Sequence, residues 1–234
     1  MQFSVEDTLF NLFPGLKIGV FVCGVNNIRY GEDRLGNVID NIKSSFTLEK
    51  PQEHPHIRVW REAFKKLGIP ASRYYSSIEA LLRRILKLSD FPRINPVVDL
   101  YNSISIKYLV PMGGHDIEHI EGNIYLGLAK GDEPFFSMDT EELETVDKGE
   151  VIYRDEKEVL TRRWVWRQCN KDKVTEDTKI VFIPVDLMEG IFEGLWDEIA
   201  SELERCLTED RIGSILHSDL LSKDRNSTEF NPFL

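Results

Sequence analysis

Between residues 110 and 123 the spacing of apolar side chains changes from that of helices to that of strands, a succession that points to helices packed against a sheet. Val59, Trp60, Ala63, Phe64 and Leu67 recur on one helical face with charges between them, and Gly68-Ile69-Pro70 stops the run. Ser76-Ser77-Ile78-Glu79 has the capping-box form, a serine at the cap and a glutamate three residues on, and predicts a second helix that buries Ile78, Leu81, Leu82, Ile85 and Leu86. Asn95-Pro96 predicts a third helix over 97–110, because asparagine accepts a hydrogen bond at the cap and proline at the first helical position gives up no needed donor. From residue 123 the pattern is one of short β-branched and aromatic segments, at 123–128, 135–138, 150–154, 159–166 and 178–185, separated by Gly- and Asp-bearing turns. Strands so closely spaced favour antiparallel pairing. The expected class is α+β, a mostly antiparallel or mixed sheet packed with helices.

Before the first helix, residues 16–23 read as a buried strand bounded by Pro14-Gly15 and Gly24, with a helix near 38–46. Beyond Met188, a stripe of Ile191, Phe192, Leu195, Ile199, Leu203 and Leu207 predicts a helix, and residues 224–234 look polar and poorly ordered. The expected organisation is one domain over 1–188, its recognisable core at 57–188, with a helical C-terminal extension over 189–234. A length of 234 residues with 41% hydrophobic and 29% charged side chains suits a globular chain with its own core. The longest apolar runs, such as 18–23, fall far short of the roughly 20 residues of a membrane helix, and the acidic start is unlike a signal peptide, so a cytoplasmic protein is expected. Three widely spaced cysteines argue for reduced, buried thiols.

The net charge of −11 opposes non-specific binding to a polyanion. Residues 57–110 nevertheless carry ten Lys and Arg against four Asp and Glu, while residues 189–234 carry four against eleven. One face could therefore meet a nucleic acid; alternatively, these basic residues are only the solvated sides of amphipathic helices. The acidic C-terminal segment could equally serve a protein contact.

Common nucleotide-binding and hydrolase signatures are absent: no Walker loop, dinucleotide fingerprint, nucleophile elbow or H-E-x-x-H. His115 and His119 stand four apart, and His54 and His56 flank a proline, but neither pair has a cysteine nearby, so no metal site is expected. The densest unusual chemistry is Thr161-Arg162-Arg163-Trp164-Val165-Trp166-Arg167-Gln168-Cys169-Asn170. On a strand, Arg162, Trp164, Trp166 and Gln168 would share one face and Arg163, Val165, Arg167 and Cys169 the other. Guanidinium beside indole suits a phosphate, a carboxylate or an unstacked base; the competing reading is an arginine–carboxylate ladder over a tryptophan-filled core, with Glu156, Glu158 or Asp172 as partners.

Asn95-Pro96-Val97-Val98-Asp99-Leu100-Tyr101-Asn102, then Pro111-Met112-Gly113-Gly114-His115-Asp116, Met138-Asp139, Gly149-Glu150-Val151-Ile152-Tyr153-Arg154-Asp155 and the Arg-Trp segment follow one another in the order found in the B3/B4 domain. That domain is the tRNA-editing module of the phenylalanyl-tRNA synthetase beta subunit, and the chain resembles free-standing members of the family over roughly residues 57–188. The resemblance implies a pocket for the aminoacylated 3′ end of tRNA and hydrolysis of a mischarged ester in trans, with no cofactor and neither DNA nor a membrane as partner. It implies substrate binding by Asn102; from the residues themselves, Arg163, Trp166, Arg167 and Gln168 are further binding candidates, and His115 or Asp186 the water-orienting, catalytic one. Either Arg163 or Arg167 would meet the terminal phosphate or the ester oxygen. The family's pocket histidine falls at Gly113 here, with His115 two residues later, and its late-strand glutamate at Pro184, with Asp186 the nearest carboxylate. Glycines that shape the synthetase pocket fall at Val165, Gln168 and Cys169, which would fill or reshape it. The alternative is a non-catalytic tRNA or amino-acid binding module that kept the fold and lost the chemistry.

Overall fold

The computed structural model of the chain describes residues 1–26, 31–87, 90–138, 142–191 and 194–232. In order, the elements are β1 (Gln2–Val5), α1 (Asp7–Leu12), β2 (Lys17–Val25), α2 (Arg34–Ser45), α3 (Pro55–Lys66), α4 (Ser77–Lys87), α5 (Pro96–Tyr108) and β3 (His115–Asp116). They continue as β4 (Ile124–Leu128), β5 (Pro134–Phe136), β6 (Leu143–Thr145), β7 (Val151–Arg154), β8 (Val159–Arg162), β9 (Arg167–Gln168), β10 (Ile180–Leu187), α6 (Leu195–Glu209), β11 (Gly213–Leu221) and β12 (Ser227–Glu229). The fold is α+β, as the change of period requires. A six-stranded sheet runs β12-β1-β4-β7-β8-β9, parallel only between β1 and β4, and a four-stranded antiparallel sheet runs β11-β2-β10-β3. Strands β5 and β6 form a separate ribbon.

Strand β2 is apolar along nearly its whole length because both of its faces are covered. Ile18, Val20 and Val22 share a core with Phe3, Leu126 and Tyr153 of the six-stranded sheet. Phe21 and Cys23 face the other way, into a core with Val181 and Val185 of β10, Leu100 and Ile104 of α5 and Ile199 and Leu203 of α6. A third cluster joins α2, α3, α4 and α5 through Leu35, Ile57, Ile78, Leu82 and Ile106. Among the described residues no helix is long and apolar enough to cross a membrane.

The helix starts follow the cap chemistry. Asn95 accepts from the Val98 amide at 2.9 Å and donates its own amide to the Val174 carbonyl at 3.1 Å, which ties the start of α5 to the segment before β10. Ser76 accepts from the Glu79 amide at 3.4 Å, but the Glu79 carboxylate does not turn back to complete the box. It is buried and accepts from Arg61 at 2.7 and 2.8 Å and from Arg83 at 2.8 Å, charge-assisted bonds that outweigh a local cap.

Two expectations are corrected. The segment 159–166 is not one strand: β8 ends at Arg162, residues 163–166 turn, and β9 returns, with φ of +45° at Arg163 and +65° at Trp164. A straight strand would put Arg162 and Trp164 on the same face; instead the turn sends each to its own buried partners. The Arg162 guanidinium meets Glu150 through two bonds of 2.9 and 3.0 Å and Glu144 at 2.8 Å, while the Trp164 ring packs edge-on against Trp60 and Phe13. Burial pushes the Glu150 carboxyl up, but Arg162 and Arg163 hold it below its ordinary range.

The second correction is at the C-terminus, which is not a helical extension. After α6, β11 pairs along β2 and β12 pairs with β1, so this segment supplies an edge strand to each sheet, and 227–229 are ordered where a poorly ordered end was expected. Strand β11 alternates exposed and half-buried residues, so its apolar signal is weak, and residue 192 of the predicted stripe lies outside the described residues. Replacing one member of a buried ion pair leaves the other charge without its partner. The variant Glu150→Gln is therefore expected to lose about 3 kcal/mol of stability in urea unfolding; a loss below about 0.5 kcal/mol, typical of exposed pairs, would show that the pair is not sequestered.

Candidate functional site

A cavity of about 270 Å³ opens between α4, α5, the 111–115 segment, the β8–β9 turn and the end of β10. Six of the seven predicted site residues line it: Asn102, His115, Trp166, Arg167, Gln168 and Asp186. Arg163 does not. The turn points it to the other side, where its guanidinium lies 4.0 Å from the Tyr74 ring centroid and 4.8 Å from that of Trp166, with Asp147 at 3.4 Å. Gly113, Pro184, Val165 and Gln168, positions where the chain departs from the resembled pattern, all line the cavity, whereas Cys169 is buried and donates to Asp172 at 3.3 Å.

His115 is held by a residue that sequence reading named only as a possible arginine partner. Its Nδ1 lies 2.5 Å from Oδ2 of Asp172, which is fully buried. The other oxygen of Asp172 accepts from the Gln168 amide at 3.0 Å, and the same amide donates to the Gly114 carbonyl at 2.8 Å. A carboxylate holding Nδ1–H fixes the tautomer in which Nε2 carries the lone pair. Such an imidazole can accept a proton from water, and the carboxylate beside it stabilises the imidazolium that forms. His115 and Asp172 stand 57 positions apart on different elements, and no periodicity links them.

Asp186 lies at the cavity floor, 2% exposed. Its Oδ1 accepts from Tyr153 Oη and Trp164 Nε1, both at 2.8 Å. Burial pushes its carboxyl up to about 7, against the lowering pull of these two donors and of His115. Near neutral pH it can therefore hold or release a proton. The side chain of Asn102, on α5, has no hydrogen-bond partner among the described residues, so its amide remains available to a ligand. Arg167 sits against Glu144 at 3.2 Å and beside the Trp166 ring, and exposed Arg84 lines the same cavity from α4.

The predicted histidine pairs do not form ligand sets. His115 is buried in β3 while His119 is exposed beside Asp116, and His56 meets the Tyr108 carbonyl. Among the described residues no group of three His, Cys, Asp or Glu is placed to hold a metal ion.

The family described as the B3/4 domain matches residues 59–207 of the chain, well over half its length. The phenylalanine–tRNA ligase beta subunit of Idiomarina loihiensis is 35% identical over 98 residues, 42% of this chain and 12% of that protein. That of Fusobacterium nucleatum is 28% identical over 92 residues, 39% of this chain and 11% of that protein. A crystal structure of an N-terminal fragment of the phenylalanyl-tRNA synthetase beta subunit from Pyrococcus horikoshii aligns with 91% of this chain and 49% of that one, at 18% identity and a TM-score of 0.46. Asp139, of the Met138-Asp139 pair in the resembled pattern, lies outside the described residues.

The raised carboxyl of Asp186 has a consequence for stability. The folded state binds this proton more tightly than the unfolded chain does, so its contribution falls as pH rises from about 4, the unfolded value, and levels off above the folded value. The isosteric variant Asp186→Asn keeps an acceptor for Tyr153 and Trp164 but cannot titrate. The melting temperature of the wild-type protein relative to this variant is expected to drop between about pH 4 and the folded pKa of about 7; parallel melting curves across that range would contradict the buried, protonated carboxyl.

Proposed function

The chain belongs to the B3/4 domain family, and from that premise and the cavity's chemistry we propose that it receives the aminoacylated 3′ end of a mischarged tRNA and hydrolyses the ester in trans. The observation that carries this reading is the His115–Asp172 pair at the cavity wall, Nδ1 to Oδ2 at 2.5 Å. Water attacks the ester carbonyl as Nε2 of His115 takes its proton, and Asp172 steadies the imidazolium. The tetrahedral oxyanion accepts from the Asn102 side-chain amide, a donor with no competing partner among the described residues. The intermediate collapses with cleavage of the bond to the ribose oxygen, which takes the proton back from His115, and the amino acid and the tRNA leave. Arg167 and Arg84 at the rim suit the terminal phosphate. Asp186, held by Tyr153 and Trp164, shapes the floor that the amino-acid side chain meets. Val165 and Gln168 narrow the cavity, so it selects a different side chain from one shaped by glycines.

A second reading, saturable binding of tRNA or an amino acid without turnover, is favoured by the commitments of Gln168 and Asp186, whose polar atoms already serve Gly114, Asp172, Tyr153 and Trp164. A panel of mischarged tRNAs separates the two. Hydrolysis should exceed the spontaneous rate for at least one member and fall by about a hundredfold to ten-thousandfold in His115→Ala, the usual contribution of a general base. Binding of every member without acceleration by the wild-type protein would leave only the second reading.

A further inference from the structure

Beside the cavity, across a ridge made by Tyr74 and Trp166, lies a second depression of about 320 Å³ with a different lining. The two ridge rings meet edge to face at 4.7 Å, and the Arg163 guanidinium lies against both. Arg73 and Lys148 complete a cationic wall, both exposed and, among the described residues, without an ion-pair partner. Two carboxylates oppose them. Glu150 is engaged by Arg162 through two hydrogen bonds and also lies 3.9 Å from the Arg163 guanidinium, whereas the exposed Asp147 carboxylate reaches, among the described residues, only Arg163, at 3.4 Å. Three cations, of which Arg163 is shared with Asp147 and Glu150 and Arg73 lies 5.2 Å from the Tyr74 ring centroid, beside an aromatic edge give the combination that single-stranded nucleic acid uses, phosphate on guanidinium and base on ring.

We propose that this depression takes the single-stranded RNA leading to the acylated adenosine, with Arg73, Lys148 and Arg163 on its phosphates and Tyr74 against a base; the assignment rests on the tRNA-end reading of the neighbouring cavity. It gives Arg163 a phosphate-binding part outside the hydrolytic pocket. It also makes Asp147 a competitor, since its carboxylate occupies the guanidinium that a phosphate would take. Arg73→Glu and Asp147→Asn therefore act in opposite directions, and both positions are exposed, so neither change disturbs the core.

The test is fluorescence anisotropy with an unacylated, labelled single-stranded RNA tetramer ending in adenosine, titrated at several salt concentrations. Arg73→Glu should weaken binding by about tenfold or more, the value of one charge-assisted contact. Arg73→Ala should reduce the slope of log Kd against log salt by about one, and Asp147→Asn should tighten binding. Wild-type affinity in both Arg73→Glu and Asp147→Asn, or no binding by the wild-type protein, overturns the assignment. The two readings fail separately. Tetramer binding that follows Arg73 and Asp147 without hydrolysis of any mischarged tRNA sinks only the hydrolytic one, and hydrolysis with unchanged tetramer binding in both variants sinks only this one.

Discussion

A single buried carboxylate oxygen joins the two sheets at the site. Asp186 belongs to β10 of the four-stranded sheet, and its Oδ1 takes one hydrogen bond from Tyr153 of the six-stranded sheet and another from Trp164 in the β8–β9 turn. Burying a carboxyl costs free energy unless donors meet it, and these two donors come from the elements whose placement creates the cavity. The turn can adopt positive φ at Arg163 and Trp164 because the Trp164 ring is fixed by Asp186 at its nitrogen and by Trp60 and Phe13 at its edges. Withdraw that anchor and the turn loses its reason to leave the strand path, and with it the wall that carries Trp166, Arg167 and Gln168.

From this anchor the arginines of one short segment separate into three environments. Arg162 is buried and neutralised by Glu150 and Glu144, so it holds β8 to β7 and to the β5–β6 ribbon. Arg163, the next residue, is turned outward onto Tyr74 and Trp166. Arg167 returns to the cavity rim. The sequence places these charges within six positions, but their chemistry is set by which carboxylate or ring each one reaches.

Much of the helical half was legible because its signals are local. The Asn95 cap, the proline after it and the apolar stripe of α3 are read within a few residues, and the structure uses them as chain chemistry suggests. Six of the seven predicted site residues converge on one cavity for a different reason: resemblance supplied their order, and the fold brought Asn102 of α5, His115 of β3 and Asp186 of β10 together. What stayed hidden depends on long-range pairing. Asp172 finds His115 across 57 positions, the turn at 163–166 has no glycine or proline to announce it, and the half-buried edge strand β11 lacks a strong apolar alternation. Glu79 shows the converse: its capping box is correct in form, yet Arg61 and Arg83 claim the carboxylate.

The claim at the centre is that the cavity between α5 and the Trp164 turn seats an acylated adenosine with its carbonyl beside His115. A crystal structure with an amide-linked aminoacyl-adenosine, which cannot be hydrolysed, tests it most directly. The account predicts the amide carbonyl within hydrogen-bonding distance of the Asn102 side chain, and a water between it and Nε2 of His115. An analogue bound elsewhere on the surface, or a cavity that stays free of it at saturating concentration, would contradict the account.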